Sequence, residues 1–507
     1  MLPHISARPS LAGLRLQARA SRLGVLTSLA VSASLVARFL QYLADRSLWL
    51  DEVMISLNVL QRSFARLLQP LDFHQAAPPG FLWLQKLATL CLGESEWALR
   101  LIPLLAGSLA LVWFAGVARH YLPPPAVPIA TALFALSDPL IYYASEAKQY
   151  ANDILAAVAI LWLAADMLRE ERPTLLRCLA WGAFGAVLVW FAHPAVFLLA
   201  GAGGGILLTS GLRRDWSRFW TSAGIALSWG LSFALLYALV LHGQSANPVL
   251  QDYWRDSFVV LRFSWLFDRF FALFAHWVGG AVAGLAAWSG IVGCGVWASE
   301  RRVALLIVLL PFAVVVGASA LQLYPFASRL VLFLAPGAFL LIASGALQTL
   351  TLARLSQLRF LGAAFLSLLL LEPVYVSAYH LLRPRTQNEI KPVLQYLQRN
   401  AQPEDVLYVD WPTDVVLQYY APRYPLTVRD VRLGVETNEL APQLQAMDQL
   451  PNEPRVWLLY SHWGAGETDQ SRNLLLAYLD RRGRKLDAYT APGAAVYLYD
   501  LSLAEQP

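Results

Sequence analysis

Pro78-Pro79-Gly80-Phe81-Leu82-Trp83-Leu84-Gln85-Lys86-Leu87-Ala88-Thr89-Leu90-Cys91-Leu92 decides how the rest of the chain is threaded. The stretch is apolar enough to suggest a membrane crossing. It is shorter than the roughly twenty residues that a helix needs to cross, and it carries Gln85 and Lys86. Counting it as a crossing would reverse every later segment and move the arginine-rich links to the outer side. It therefore reads as a helix lying in or on the outer leaflet.

Outward from this segment, spans are expected near 23–44, 100–118, 126–144, 151–168, 175–192, 194–211, 219–241, 277–298, 303–323, 330–350 and 360–380. The links on one side then carry Arg119; Arg169, Arg172 and Arg177; Arg213, Arg214 and Arg218; Arg301 and Arg302; and Arg354 and Arg359. Lys and Arg concentrate in cytoplasmic loops, so that side is the inner one. About eleven spans starting inside leave the C-terminus outside.

Composition agrees with this threading. The chain of 507 residues is 57% hydrophobic and 14% charged, with a mean hydropathy of +0.48. A soluble chain carries about a quarter charged residues, so lipid solvates much of this one. The net charge of +5 fits basic inner loops rather than a nucleic-acid surface. With 18 Trp, 20 Tyr and 23 Phe, rings are plentiful for membrane interfaces or for a lipid or sugar groove. Cys91, Cys178 and Cys294 lie apart in apolar segments and make neither a metal spacing nor a disulfide framework. The basic start, Arg8, Arg15, Arg19 and Arg22, leads into apolar Leu23 to Ala44. A cleaved signal peptide is the alternative to a retained first span. The length of the stretch, and the orientation that later segments need, favour retention.

Three parts are expected: a basic cytoplasmic N-terminus over 1–22, a multi-pass domain over 23–382, and an extracytoplasmic domain over 383–507. The first external loop, 45–99, holds the segment quoted above and an amphipathic interfacial helix over 53–68, with Leu57, Leu60, Phe64, Leu67 and Leu68 against Arg62 and Arg66. A second external region, 242–276, is rich in Trp, Phe, Arg and Asp and reads as interfacial. After Leu382 charges become frequent. Helical stretches at 389–400 and 470–482 alternate with strand-like runs at 405–410, 455–460 and 494–499, which indicates a small α/β domain. No internal repeat of the transporter kind is evident.

On this threading the polar landmarks fall on the outer side. Trp49-Leu50-Asp51-Glu52 follows the first span, and His74 and Pro78-Pro79 lie in the same loop. Arg100 opens the second span. Tyr142 to Tyr150, with Glu146 and Lys148, joins the third span to the fourth. His193-Pro194 joins the fifth to the sixth, and Tyr324-Pro325-Phe326-Ala327-Ser328-Arg329 joins the ninth to the tenth. Any one charge at a span end is explained by snorkelling to the headgroups. Several such connections on one side favour a shared site.

These segments, with Glu-Trp-Ala-Leu-Arg-Leu-Ile-Pro at 96–103, resemble the multi-pass GT-C glycosyltransferases. The likeness is to the family 39, protein mannosyltransferase-like group and its bacterial relatives that modify lipid A and surface glycans. It covers about 23–420. Lys148 stands where that group usually has Arg, which keeps the charge and loses the bidentate fork. The resemblance implies an all-α, GT-C-type membrane domain of about eleven spans plus interfacial helices, followed by the small α/β domain. It also implies a polyprenyl-phosphate-sugar donor, a lipid, glycan or protein acceptor, and transfer outside the cytoplasm; the cysteine usage and compact loops suit a bacterial inner membrane.

By the same resemblance Asp51 is the base that takes the acceptor proton. Successive helical residues point about 100° apart, so Asp51 and Glu52 do not act as one carboxylate pair. Glu52 orients the acceptor or bonds backbone at a helix start, and a plain N-terminal cap is the bland reading of both acids. A lipid phosphate leaves readily and needs positive charge rather than a strong acid. Arg329, Lys148 and Arg100 are the candidates, against interface anchoring for the arginines and pairing with Glu146 or Asp153 for the lysine. Glu146, Tyr150 and Asp153 recur at helical spacing, and Glu146 and Tyr150 suit sugar hydroxyls. His74 and His193 with Glu146 are the one candidate set for a divalent metal, although a His beside Pro more often serves as a hydrogen-bonding group. His242 and His276 are weaker. Nothing in the spacing of these residues requires a metal, so a divalent ion stays an open alternative and no other cofactor is called for.

A transporter or flippase of a lipid-linked sugar is the competing reading. It calls for charges near mid-membrane and broken helices in paired positions, and Arg38 is the only deep charge the sequence suggests. A polymerase or ligase of lipid-linked glycans is the third reading.

Overall fold

The computed structural model describes residues 11–245, 247–355, 357–437, 439–461 and 467–502. In chain order the helices are α1 Leu11–Leu43, α2 Leu50–Gln61, α3 Pro79–Leu92, α4 Glu96–Tyr121, α5 Val127–Leu136, α6 Asp138–Tyr142 and α7 Tyr150–Arg169. Then come α8 Leu175–Phe191, α9 Ala195–Leu212, α10 Trp216–Leu236, α11 His242–Ser245, α12 Pro248–Tyr253, α13 Phe263–Trp277 and α14 Ala283–Glu300. The last are α15 Arg302–Ala320, α16 Ala335–Leu355, α17 Arg359–Leu382, α18 Ile390–Asn400, α19 Thr413–Tyr420, α20 Leu440–Asp448 and α21 Glu467–Arg482. Two compact units divide the chain. One comprises Met1–Leu43, Ser63–Gly93 and Arg100–Arg383; the other comprises Ala44–Arg62, Glu94–Leu99 and Pro384–Pro507. Residues 44–62 and 94–99 thus group with the C-terminal part, whereas the sequence reading assigns all of 45–99 to the membrane part.

The first unit is a helical membrane domain. Among the described residues, 8 helices are long and apolar enough to cross a membrane. A bent pair, Pro124–Leu136 and Asp138–Ser145, joins at 61° and makes a ninth if it is one span. Every expected span contains helix; the one expected over 126–144 is the bent pair, whose longer member α5 has 10 residues, and α8 has 17. The decisive segment is helical as α3, with Pro79 in its first turn, and it stops at Gly93, whose φ is +86°. The amphipathic helix expected over 53–68 starts earlier and is broken. It runs as α2 from Leu50 to Gln61, and a separate single turn covers Arg66–Leu68. Arg62, extended at φ −102°, ends it.

Small residues let the helices of this unit approach closely. A Cβ at Gly293 of α14 would collide with the Leu341 carbonyl of α16, and one at Gly345 with the Ser289 carbonyl. This is the small-residue contact by which membrane helices gain dispersion energy. Trp297 seals it by donating to Ser344 Oγ at 3.1 Å and stacking on Tyr121. Arg38 is fully buried and donates to the Ser34 carbonyl at 3.3 Å. The sequence reading missed a second deep charge, Glu372 of α17. Its carboxylate accepts from the amides of Gly280, Ala281 and Val282 at 2.9, 2.8 and 3.2 Å. Those amides precede α14 and have no helical partner of their own. Gly279, at φ +132°, turns the chain where any Cβ would meet Glu372.

The second unit is α/β, with one five-stranded sheet in the order β2-β1-β3-β5-β4. The strands are β1 Val406–Val409, β2 Asp430–Leu433, β3 Val456–Ser461, β4 Arg484–Ala491 and β5 Ala494–Asp500. β1 pairs in parallel with β2 and β3, while β5 runs antiparallel to β3 and β4. β1 and β3 are buried on both faces, the pattern of parallel strands covered by helices. Under this sheet Asp405 is fully buried and receives Arg455 Nε at 2.7 Å, Trp457 Nε1 at 2.7 Å and the Gln402 amide at 2.9 Å. Burial alone would raise its carboxyl; these donors overcome that and hold it below the usual carboxylate value. At the end of β1 the reverse holds for Asp410. Burial pushes its carboxyl up to about 7, against a bond from the Trp411 amide, and the Asp414 charge adds to the rise.

Candidate active site

In the membrane unit several of the loops expected on the outer side meet. After α6 and a single 3-10 turn the chain becomes extended at Glu146, with φ −121° and ψ 134°. The Lys148 amide then bonds the Glu146 carbonyl at 2.7 Å, and α7 begins only at Tyr150. Glu146 therefore lies outside the helix that carries Tyr150 and Asp153, and the single helical face expected for the three residues does not form. Glu146 and Lys148 are both buried, at 1% and 4% exposure. The Lys148 ammonium donates to Gln75 Oε1 at 2.8 Å rather than standing at a water surface. The Gln149 amide reaches the Ala76 carbonyl at 3.3 Å. A buried ammonium is costly unless an anion or several acceptors surround it.

His74 adjoins Gln75 and places Nδ1 2.9 Å from Asn247 Nδ2. Phe73 and His74 both take positive φ, 59° and 51°. Each such residue costs about 1–3 kcal/mol and survives only where its surroundings fix it. The 247–257 segment continues to Trp254, whose ring carries the Arg329 guanidinium 5.4 Å above it. The Phe326 amide bonds the Ser257 carbonyl at 2.8 Å, which fixes the loop bearing Arg329. Arg329, Lys148 and His74 are thus held by segments that the structure brings together: 73–76, 146–150, 247–257 and 324–331.

Tyr150 is buried and meets Tyr143 edge-on at 4.8 Å. His193, between α8 and α9, is a neutral base. Burial lowers its imidazole to about 4, and its buried Nε2 has no partner among the described residues. It can accept or donate one hydrogen bond, but it supplies no charge at neutral pH. Tyr324 donates to the Leu330 carbonyl at 2.8 Å. Burial first, and the Asp153 charge second, push its phenol up, so Tyr324 stands near Asp153 and stays protonated. Neither Asp153 nor Tyr324 was among the candidate site residues. Helical spacing flagged Asp153 and the Tyr-Pro-Phe segment flagged Tyr324, yet nothing in the sequence shows that the charge of one acts on the other. Arg100 is 2% exposed in the second turn of α4. Among the described residues no group of three or more His, Cys, Asp and Glu is placed to hold a metal ion.

Asp51 and Glu52 belong to the other unit. Both fall in the first turn of α2, and the Glu52 carboxylate accepts from the Trp49 amide at 3.3 Å. Glu52 is buried at 1% exposure, as a helix-start ligand requires; Asp51 is half-buried. The strap leading to Asp51 is pinned at several points. Ser47 Oγ donates to Glu389 at 3.1 Å, the Leu48 amide to Tyr420 Oη at 2.7 Å, and Lys391 to the Asp45 carbonyl at 2.6 Å. α2 also packs on α19. Asp51 thus sits on a rigid element rather than a free loop.

The chain is similar in structure to ArnT from Cupriavidus metallidurans bound to undecaprenyl phosphate, with a TM-score of 0.54 and 14% identity. The match covers 95% of this chain and 99% of that one. The archaeal oligosaccharyltransferase AglB from Archaeoglobus fulgidus, in complex with an inhibitory peptide and a dolichol-phosphate, gives a TM-score of 0.51 at 12% identity, over 93% of this chain and 74% of that one. Residues 76–238 match the model of the dolichyl-phosphate-mannose-protein mannosyltransferase family. The chain has the GT-C fold of these proteins. No curated protein sequence matches it. The matched segment contains the Glu146–Tyr150 turn, His193 and Arg100. Asp51, Glu52, His74 and Arg329 lie outside that segment.

Proposed function

We propose that the chain is a membrane glycosyltransferase. It moves a sugar from a polyprenyl-phosphate-linked donor to an acceptor hydroxyl on the extracytoplasmic side. The observation that carries this reading is the GT-C fold, matched over 95% of the chain to a protein holding undecaprenyl phosphate. The buried Lys148, clustered with the loops of His74 and Arg329, supports it.

In the proposed reaction Asp51 accepts the proton of the acceptor hydroxyl as that oxygen bonds the anomeric carbon. The bond from that carbon to the phosphate oxygen breaks, and polyprenyl phosphate leaves with its electron pair. One displacement inverts the anomeric centre. Lys148, Arg329 and Arg100 hold the phosphate and stabilise its growing charge. Glu146 and Tyr150 bind sugar hydroxyls, with His74 and the neutral His193 as hydrogen-bonding groups. Glu52 secures the start of the helix that carries the base. The setting in this reading is the inner membrane of a bacterium, with residues 383–507 outside, an orientation that the arginine-rich links support.

A lipid-linked-sugar flippase draws support from the deep Arg38 and from the bent span at residues 124–145. Against it, Glu372 serves as a ligand for backbone amides, and among the described residues the bent span has no paired counterpart. Proteoliposomes loaded with a polyprenyl-phosphate sugar and an acceptor separate the two. The transferase converts donor to free polyprenyl phosphate in step with glycosylated acceptor. Movement of donor between leaflets without its consumption would establish the flippase instead.

A further inference from the structure

Away from the cluster described above, the membrane unit has a small open cavity of about 50 Å³. It lies where the C-terminal ends of α7 and α9 meet the start of α10 and of α15, and Leu168, Thr209, Ser210, Arg213, Arg218 and Val303 help to line it. These are the arginine-bearing ends of the spans. Its two arginines differ in state. Arg218 donates through Nη2 to the Met167 and Leu168 carbonyls at 2.9 and 3.3 Å, closing the end of α7. Arg213 bonds Thr209 only through its backbone amide, and its guanidinium has no partner among the described residues.

One acid, Asp215, also lines the cavity, and its Oδ1 already accepts the Arg218 amide at 3.1 Å. Two guanidinium groups against one engaged carboxylate leave the cavity one positive charge in excess. The same helices turn large apolar side chains outward beside it: Leu212 at 77% exposure, Trp216 at 56% and Trp220 at 68%. Tryptophan at such an end marks the headgroup level of a bilayer. A cavity between span ends that joins a free guanidinium and hydroxyl groups to a lipid-facing apolar rim suits a phosphate diester whose acyl chains lie along the rim.

We infer that this cavity binds the headgroup phosphate of an anionic phospholipid, with Arg213 as the residue that selects for negative charge. One basic side chain near a membrane surface contributes about fivefold in affinity for anionic lipid. The test uses the full chain in neutral detergent, with phosphatidylglycerol, phosphatidylethanolamine, phosphatidylcholine or inorganic phosphate added, and counts bound lipid by native mass spectrometry. Phosphatidylglycerol is expected to be retained about fivefold more than phosphatidylcholine. Arg213→Ala should remove that preference, Arg213→Lys should keep part of it, and Arg354→Ala, at another arginine-bearing end, should leave it intact. Equal retention of the three lipids overturns the inference, and so does an undiminished preference in Arg213→Ala. Displacement of bound phosphatidylglycerol by millimolar inorganic phosphate overturns the lipid as the source. Size-exclusion profiles that match wild type confirm that each variant is folded.

Discussion

Held at about 4 by burial, His193 is an uncharged imidazole throughout the range in which a free histidine titrates. Its folded value is depressed, so the neutral form persists down to about pH 4 and the residue contributes no inflection near 6.5. The transfer rate of wild type between pH 5.5 and 8 should therefore follow the same curve as that of His193→Asn, whatever the offset between them. An inflection near 6.5 present in wild type and absent from the variant would show that the imidazole titrates in use. The cations should behave differently from one another. Arg329 lies over Trp254 on a loop fixed by Ser257, and its removal should raise KM for the donor more than for the acceptor. Loss of one charge-assisted contact to phosphate corresponds to about 10-fold or more. An equal rise for both substrates points to a structural role. Lys148→Arg should keep most activity, since the charge is preserved beside Gln75.

Two helix and sheet features set their own tests. α14 and α16 approach so closely that a side chain at Gly345 would strike the Ser289 carbonyl. Gly345→Val should cost about 1–3 kcal/mol by overpacking, measured as lost thermal stability in detergent. Gly295→Val, on the same α14 with nothing within 4 Å of an added Cβ, should change little. In the second unit the Asp410 carboxyl, near 7 rather than 3.8, ties β1 to pH. Between those values the folded chain keeps a proton that the unfolded chain has released. Stability from this group is thus full below about 3.8 and is lost as pH rises through 7. Amide exchange of residues 405–411, corrected for intrinsic rate, should report a lower opening free energy at pH 8 than at pH 5. Asp410→Asn should flatten the difference; an unchanged difference in that variant assigns the pH dependence to another group.

Across the molecule, what could be read in the sequence follows from what signals locally. Long apolar runs gave the spans, and the continuous apolar stretches of β1, β3 and β5 stood out at 405–410, 455–460 and 494–499. β2 and β4 did not, because Asp430-Val431-Arg432-Leu433 and Arg484 to Ala491 are exposed along most of their length and have no apolar pattern. α2 was placed too late because its first turn carries Asp51 and Glu52, which look like loop residues until one sees Glu52 satisfying the Trp49 amide. Of the candidate site, the residue types and their loops were legible. Which side chains meet was not, since Lys148 with Gln75, His74 with Asn247 and Arg329 with Trp254 join positions far apart in the chain. Glu372 was missed for a related reason: an acid in an apolar helix gives no hint that its partners are amides some ninety residues earlier.

The proposed chemistry rests on one carboxylate, Asp51, on a helix start that Glu52 secures. The direct measurement is the rate at which purified Asp51→Asn, reconstituted beside wild type, converts a polyprenyl-phosphate sugar and acceptor to polyprenyl phosphate and product. Loss of a general base lowers turnover by about 10²–10⁴-fold. That loss is expected here, with membrane insertion and thermal stability unchanged. Wild-type turnover in the folded variant would contradict the account.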